Sequence, residues 1–262
     1  MVAHRGASHL RAEHTLAAYL QAIEDGADGL ECDVRMTRDG HLVCVHDRRV
    51  DRTSTGRGAV SRLPLSRLST MDFGAWHDEP LTSADDLIRQ RVATPSADLR
   101  ARGVLTLDAL IELAVDAGVA LFVETKHPVR AARRVETALV DMLHRYGLAV
   151  PSSKVDSPVV VMSFSALALR RIRRSAPGLP TVLLLNHLPP PLHSGWLPPW
   201  ADWTGPGIHL LRADPGYPSR AKLRGHLTYC WTVDGPADVE LGGSAGVRWI
   251  ATNAPRAVRA RL

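Results

Sequence analysis

Asp28-Gly29-Leu30-Glu31-Cys32-Asp33-Val34-Arg35-Met36-Thr37-Arg38-Asp39-Gly40-His41-Leu42-Val43-Cys44-Val45-His46-Asp47 reads as two strands joined by a turn at Asp39-Gly40. Side chains alternate across a strand, so Glu31 and Asp33 share one face while Leu30, Cys32 and Val34 share the other. The second strand, Leu42 to His46, stays apolar until it ends on His46-Asp47. A strand this apolar belongs in an interior, and its acidic neighbour must lie beside it there. Two carboxylates about 4 Å apart repel by roughly 4 kcal/mol at an effective dielectric of 20. A cation between them relieves that repulsion, and a hard divalent ion is the simplest one.

Outward from this pair the chain alternates strands and helices. Val2 to Gly6 is a short strand that breaks at Gly6, and residues 13–26 carry Leu16, Tyr19, Leu20 and Ile23 at helical spacing before a stop at Gly26. Residues 48–105 are polar and Arg/Ser/Thr-rich, with Gly56, Gly58, Pro64, Pro80 and Pro95, and read as an insertion without a core of its own. A helix from Leu105 to Ala117, N-capped by Thr106, leads to the strand Ala120 to Lys126, which carries Glu124 and Lys126 on one face. A helix over 130–147, a strand Val159 to Phe164, a helix containing Leu167, Leu169 and Ile172, and a strand Thr181 to Leu185 follow. The Pro-rich stretch 188–200 is a loop whose tryptophans are expected to pack it onto the body. Ile208 to Leu211, Leu227 to Val233 and Trp249 to Thr252 complete the expected strands. Apolar strands alternating with helices imply a parallel sheet covered on its faces. Eight or nine units in 262 residues fit a (β/α)₈ barrel, the α/β TIM-barrel class. The expectation is a single catalytic barrel domain over 1–262, with the insertion after the third strand region. The alternative is an open doubly wound sheet, but no glycine fingerprint for a nucleotide follows any strand.

Composition narrows the class further. Hydrophobic residues at 45% and charged residues at 23% are those of an ordinary globular protein. The net charge of +5 is spread along the chain without a basic run, which argues against a nucleic-acid partner. Three cysteines (Cys32, Cys44 and Cys230) without paired spacing indicate a reducing compartment, and with no export signal after Met1 the expected location is the cytoplasm. Without an apolar run of membrane-spanning length, no stable membrane anchoring is expected. Cys32 should face the outer helices and Cys44 the barrel interior.

The remaining polar residues fall at the carboxyl ends of strands, where barrel enzymes build their sites. They are His4-Arg5, Glu31 and Asp33, His46, Glu124 and Lys126, and Trp231. Three carboxylates without a cysteine or histidine cluster suit one divalent cation, Ca²⁺ or Mg²⁺, better than zinc. Arg and Lys beside it describe a phosphate site, and two histidines can act there as acid and base.

In chain order, His4-Arg5-Gly6, the Glu13/Thr15 stretch, Gly29-Leu30-Glu31-Cys32-Asp33-Val34, Asp39-Gly40 and Val45-His46-Asp47 resemble the glycerophosphodiester phosphodiesterase family. Asp51-Arg52-Thr53, Val123-Glu124-Thr125-Lys126, Ser163-Phe164 and Trp231-Thr232-Val233 extend the likeness over nearly the whole chain. The resemblance implies a metal-dependent barrel that hydrolyses a small-molecule glycerophosphodiester to glycerol 3-phosphate and an alcohol. It makes His4 and His46 the general base and acid, and Glu31, Asp33 and Glu124 the metal ligands. It puts Arg5 and Lys126 on the phosphate and Trp231 near the glycerol. Asp47, Asp51 and Arg52 are expected to anchor the insertion. Two departures from the family pattern stand out, Ala12-Glu13-His14-Thr15 in place of Pro-Glu-Asn-Thr and Thr252-Asn253-Ala254-Pro255 in place of Thr-Asp before Arg-Pro. Both are expected to support the site without reacting, with His14 as a surface residue at the helix start. The other nine histidines, His127 among them, are expected to be structural or solvated. Two other readings stay open: a phosphodiesterase for lysophospholipid or inositol-type headgroups, and a non-catalytic barrel that binds phosphorylated ligands.

Overall fold

A computed structural model describes residues 1–77, 100–127 and 133–262. Eight parallel strands close into a barrel: β1 (Val2–His4), β2 (Gly29–Met36), β4 (Ala120–Thr125), β5 (Val159–Ser163), β6 (Thr181–Leu185), β7 (Trp203–Pro206), β8 (Leu227–Cys230) and β9 (Trp249–Thr252). The seam closes by pairing β1 with both β9 and β2. β3 (Leu42–Cys44) lies outside that circuit, antiparallel to the end of β2 from Val34 to Met36.

Alternation along each strand sorts side chains into two layers. Inside the barrel lie Val2, Phe122, Val160, Met162, Val182, Leu184, Trp203 and Tyr229. Phe122 stacks on Tyr229 at 5.4 Å and meets Trp249 edge-on at 5.1 Å, which fills the floor. Between the strands and the helices lie Leu30, Cys32, Val34, Leu121, Val123 and Val161. They pack against α1 (Leu16–Glu24), the long helix α3 (Leu107–Ala117) and α4 (Arg134–Arg145). A four-residue helix α2 (Leu65–Leu68) precedes α3 in the chain. Thr106 caps α3 by accepting the amide of Ala109, as the sequence leads one to expect, and Thr15 caps α1 in the same way through the amide of Ala18. Among the described residues no helix is long and apolar enough to cross a membrane.

Several expectations are corrected. Ile208 to Leu211 is not a strand; it begins the helix Ile208–Ala213, and the sixth barrel strand is the preceding β7, Trp203–Pro206. A four-residue apolar run has no period of its own, and here the register is set by Trp203 filling the interior and by Pro206 ending the strand. The strand expected to reach Val233 stops at Cys230. Cys44 does not enter the barrel; it lies with Cys32 in the layer under the helices, because β3 is not a barrel strand. In the Pro/Trp segment Trp203 enters the barrel and Trp200 packs beside Leu192 and Leu197, while Trp196 stays 45% exposed.

Of the expected insertion, Pro80 and Pro95 lie outside the described residues, as do residues 128–132 at the start of the helix expected over 130–147. The described part forms a small apolar cluster (Val50, Val60, Leu68, Met71 and Phe73) that it shares with Val43 and Val45 beside β3.

Gly6 shows how tightly the strand-to-helix connection is built. Its φ is +85°, and a Cβ placed on it would lie 2.7 Å from the backbone carbon of Ala18 in α1. Gly6→Ala is expected to destabilise the protein by about 1–3 kcal/mol through overpacking alone, read as a lower midpoint in urea unfolding.

Candidate active site

Strand register brings the polar residues together. His4 pairs with Glu31 across β1 and β2, and Asp33 pairs with Glu124 across β2 and β4. All are at the carboxyl ends and on the inward face, so the three acids converge, with a carboxylate oxygen of each within 4.8 Å of the others. They are 1%, 1% and 7% exposed for Glu31, Asp33 and Glu124 respectively.

Two cations approach this cluster. Arg5 adopts a left-handed backbone (φ 61°) that turns its amide onto Glu31 Oε2 at 2.9 Å, and its Nε lies 3.2 Å from Asp33 Oδ2. Lys126 Nζ is 2.8 Å from Glu124 Oε1 and 3.1 Å from Asp33 Oδ1. The second contact lacks hydrogen-bond alignment, so Asp33 Oδ1 is a buried oxygen without a hydrogen-bond partner. Burial and then the charge of Asp33 raise Glu31 well above the ordinary carboxylate range, and the same causes push Glu124 up to about 8. Burial opposes ionisation of Asp33 too, but His14, Lys126 and Arg5 hold it well below its usual value. Arg5 and Lys126 therefore do not satisfy three ionised acids. An all-oxygen set of three carboxylates with one orphaned oxygen fits a hard divalent cation.

The two histidines have different partners. His4 Nδ1 is 2.7 Å from Asn253 Oδ1. The Asn253 amide is itself anchored, since its Nδ2 donates to Asp234 Oδ2 at 2.7 Å and its backbone N–H donates to Asp234 Oδ1 at 2.8 Å. Only the amide oxygen is left to face His4, so Nδ1 carries the proton and Nε2 has the free lone pair. Burial, then Arg5, depress His4 to about 4. His46 Nδ1 is 2.7 Å from Asp47 Oδ1, and Arg35 donates twice to the His46 carbonyl at 2.9 and 2.7 Å. Burial lowers His46 as well, against the opposing charges of Asp33 and Asp47.

Arg5, His4, Glu31, Glu124, Lys126 and His46 line one side of a cavity of about 460 Å³. Trp231, Phe164, Met162, Leu184 and Tyr229 line the other. Trp231 meets Phe164 edge-on at 5.4 Å, and its Nε1 donates to the Gly205 carbonyl at 2.8 Å, which fixes the ring. Every site residue expected from the sequence thus borders this cavity or lies directly beneath it. His127 also lines it, with Nε2 3.4 Å from the buried Glu136.

His14 corrects the expectation of a surface residue. It is 5% exposed, with Nε2 2.9 Å from Asp33 Oδ2 and Nδ1 2.8 Å from the Tyr19 hydroxyl. That hydroxyl donates its proton to the Glu31 carbonyl at 2.9 Å, so it accepts from His14. The side chain braces the acidic strand from behind. Neither its residue type nor its neighbours Glu13 and Thr15 signal this role, because its partners Tyr19 and Asp33 lie further along the chain. Arg35 and Asn253 are the other supports that side-chain chemistry alone does not single out.

Comparison with known proteins agrees with this geometry. The model of the glycerophosphoryl diester phosphodiesterase family matches residues 4–257. A protein of Mycobacterium tuberculosis described as a probable glycerophosphodiester phosphodiesterase 1 is 48% identical over all of this chain and 92% of its own length. A glycerophosphodiester phosphodiesterase of Caldanaerobacter subterraneus is 30% identical over 97% of this chain and 94% of its own. Among solved structures, an Oleispira antarctica phosphodiesterase in complex with the product sn-glycerol-3-phosphate superposes with a TM-score of 0.80 at 21% identity, covering 99% of this chain and 95% of that one. A glycerophosphodiester phosphodiesterase from Agrobacterium tumefaciens gives 0.76 at 23% identity, covering 99% and 98%. By fold, by site and by these matches, the chain belongs to the glycerophosphoryl diester phosphodiesterase family.

Proposed function

We propose that the protein hydrolyses glycerophosphodiesters to glycerol 3-phosphate and an alcohol, with a divalent cation, Ca²⁺ or Mg²⁺, held by Glu31, Asp33 and Glu124. The observation that carries this reading is the gathering of three acids within 4.8 Å, two of them pushed toward protonation, beside two separately oriented histidines. When bound, the cation supplies charge that keeps the three carboxylates ionised and polarises the phosphate oxygens.

The residues divide the work by their partners. Burial and a neutral amide at Nδ1 keep His4 unprotonated around neutral pH, so its free Nε2 lone pair serves as the general base toward the attacking hydroxyl. That hydroxyl is the substrate's own glycerol 2-hydroxyl or water, and in the first case a cyclic phosphate is then opened by water. His46 has a carboxylate at Nδ1, which offsets part of what burial costs its imidazolium, so of the two rings it is the one placed to deliver the proton to the leaving alkoxide. Arg5 and Lys126 orient the phosphate, and the Trp231 face seats the glycerol carbons. The same reading takes residues 1–262 as one catalytic barrel domain. Three free cysteines, two of them neighbours in one layer, support a reducing compartment such as the cytoplasm.

The lysophospholipid reading has less support, since two of the three tryptophans of the Pro/Trp segment pack inward. A barrel that only binds a ligand would have no need to orient both histidines.

A coupled glycerol 3-phosphate assay over several headgroups and both metals tests the proposal, and exhaustive chelation should abolish turnover until the ion is restored. Turnover that survives chelation would remove the cation from the mechanism. His46→Ala should lower kcat by about 10²–10⁴; a change confined to KM would make His46 a binding residue. Asn253→Asp places a carboxylate on His4 Nδ1 and favours the protonated ring. The base is then lost at a higher pH, so the acidic limb of the kcat/KM profile should move upward in pH.

A further inference from the structure

Arg52 comes from the segment that follows β3, and each of the three nitrogens of its guanidinium donates a hydrogen bond. Nη1 and Nη2 grip Glu13 Oε2 and Oε1 at 3.0 and 2.8 Å. Nε donates to Asp47 Oδ2 at 2.6 Å, and the group lies 5.7 Å from the centroid of the Trp76 ring. Neither acid is an end point. The other oxygen of Asp47 holds His46 Nδ1, and Glu13 Oε1 also accepts from Arg5 Nη1 at 3.2 Å. Arg5 in turn stands beside Asp33 and Glu31.

We propose that Arg52 is a positioning residue that locks the ring of His46, through Asp47, to the guanidinium of Arg5, through Glu13. This rests on the reading of His46 as the general acid and of Arg5 as a phosphate ligand. An anchor for the insertion would need only one of these contacts. The forked grip through all three nitrogens is what joins the proton donor to the anion binder. A lysine cannot reproduce it, because an ammonium is a point charge without a planar fork. The charge state agrees: burial disfavours ionised Glu13 and Asp47, yet the bonds from Arg52 bring both down to about 2. Arg35 holds the His46 carbonyl, so Asp47 is left to determine the angle of the ring.

The test uses two esters of glycerol 3-phosphate, one with choline and one with p-nitrophenol, whose departure needs no proton. Wild type, Arg52→Met, Arg52→Lys and His46→Ala are compared in the presence of the divalent ion. With His46 misaligned, Arg52→Met should lose about 10²-fold in kcat on the choline ester and less than about 3-fold on the nitrophenyl ester. KM should rise on both esters as Arg5 loosens, and Arg52→Lys should resemble Arg52→Met. Equal losses in kcat on both esters, or full rates with lysine, would reduce Arg52 to an anchor of the insertion and overturn the proposal. If His46→Ala itself does not discriminate between the esters, His46 is not the acid, and that assignment falls together with the Asp47 half of the proposal. Thermal unfolding of each variant separates these outcomes from loss of fold.

Discussion

Burial of three carboxylates on neighbouring strands is the constraint to which the rest of the site answers. Each acid sits where water cannot solvate it, and the charge of Asp33 opposes ionisation of the other two. The protein compensates in layers. Arg5 and Lys126 come from the front, His14 braces Asp33 from behind, and Tyr19 ties that brace to the Glu31 backbone. What these leave unbalanced is a buried cluster of three carboxylates with one oxygen lacking a hydrogen-bond partner, a donor set that fits a hard cation. A site of this kind is poised rather than stable, and the aromatic floor of Phe122, Tyr229 and Trp249 supplies the rigid base on which it stands.

The same constraint explains the asymmetry of the two histidines. Both are partly or wholly removed from water, which disfavours the charged ring in each. A neutral amide against one and a carboxylate against the other separate their tendencies, and the two partners lie on opposite sides of the site: Asn253 beyond β9, Asp47 beyond β3.

How much of this is legible in the chain depends on how far each feature reaches. Parity within a strand is local, so Glu31 with Asp33, and Glu124 with Lys126, could be assigned to one interior from their spacing alone. The ordered motifs identify the barrel for the same reason, because the ends of β1, β2, β3, β4 and β8 each carry polar or aromatic residues of their own. His14 was misread because its partners are five and nineteen residues away and its own neighbours resemble a surface turn. Cys44 shares the parity of His46, but parity along β3 does not lead into the barrel, because β3 lies outside its circuit. Ile208 to Leu211 failed because four apolar residues have no distinguishable period, whereas Trp203, Gly205 and Pro206 make sense as a strand only beside Val182 and Leu184. Asn253 reads as a departure from a family pattern, and only its anchoring by Asp234 reveals which tautomer it imposes.

The shortness of β1 has a consequence for how such a site can diverge. Because β1 ends at His4, the far half of β2 has a vacant edge, which β3 occupies in the opposite direction. The wall closes through the first contact, and His46 arrives on the second. Delivery of His46 is thereby uncoupled from the circuit that makes the barrel a closed object. A lineage can lengthen, shorten or reshape the excursion beyond β3, and with it the surroundings of the His46 ring, without reopening the seam.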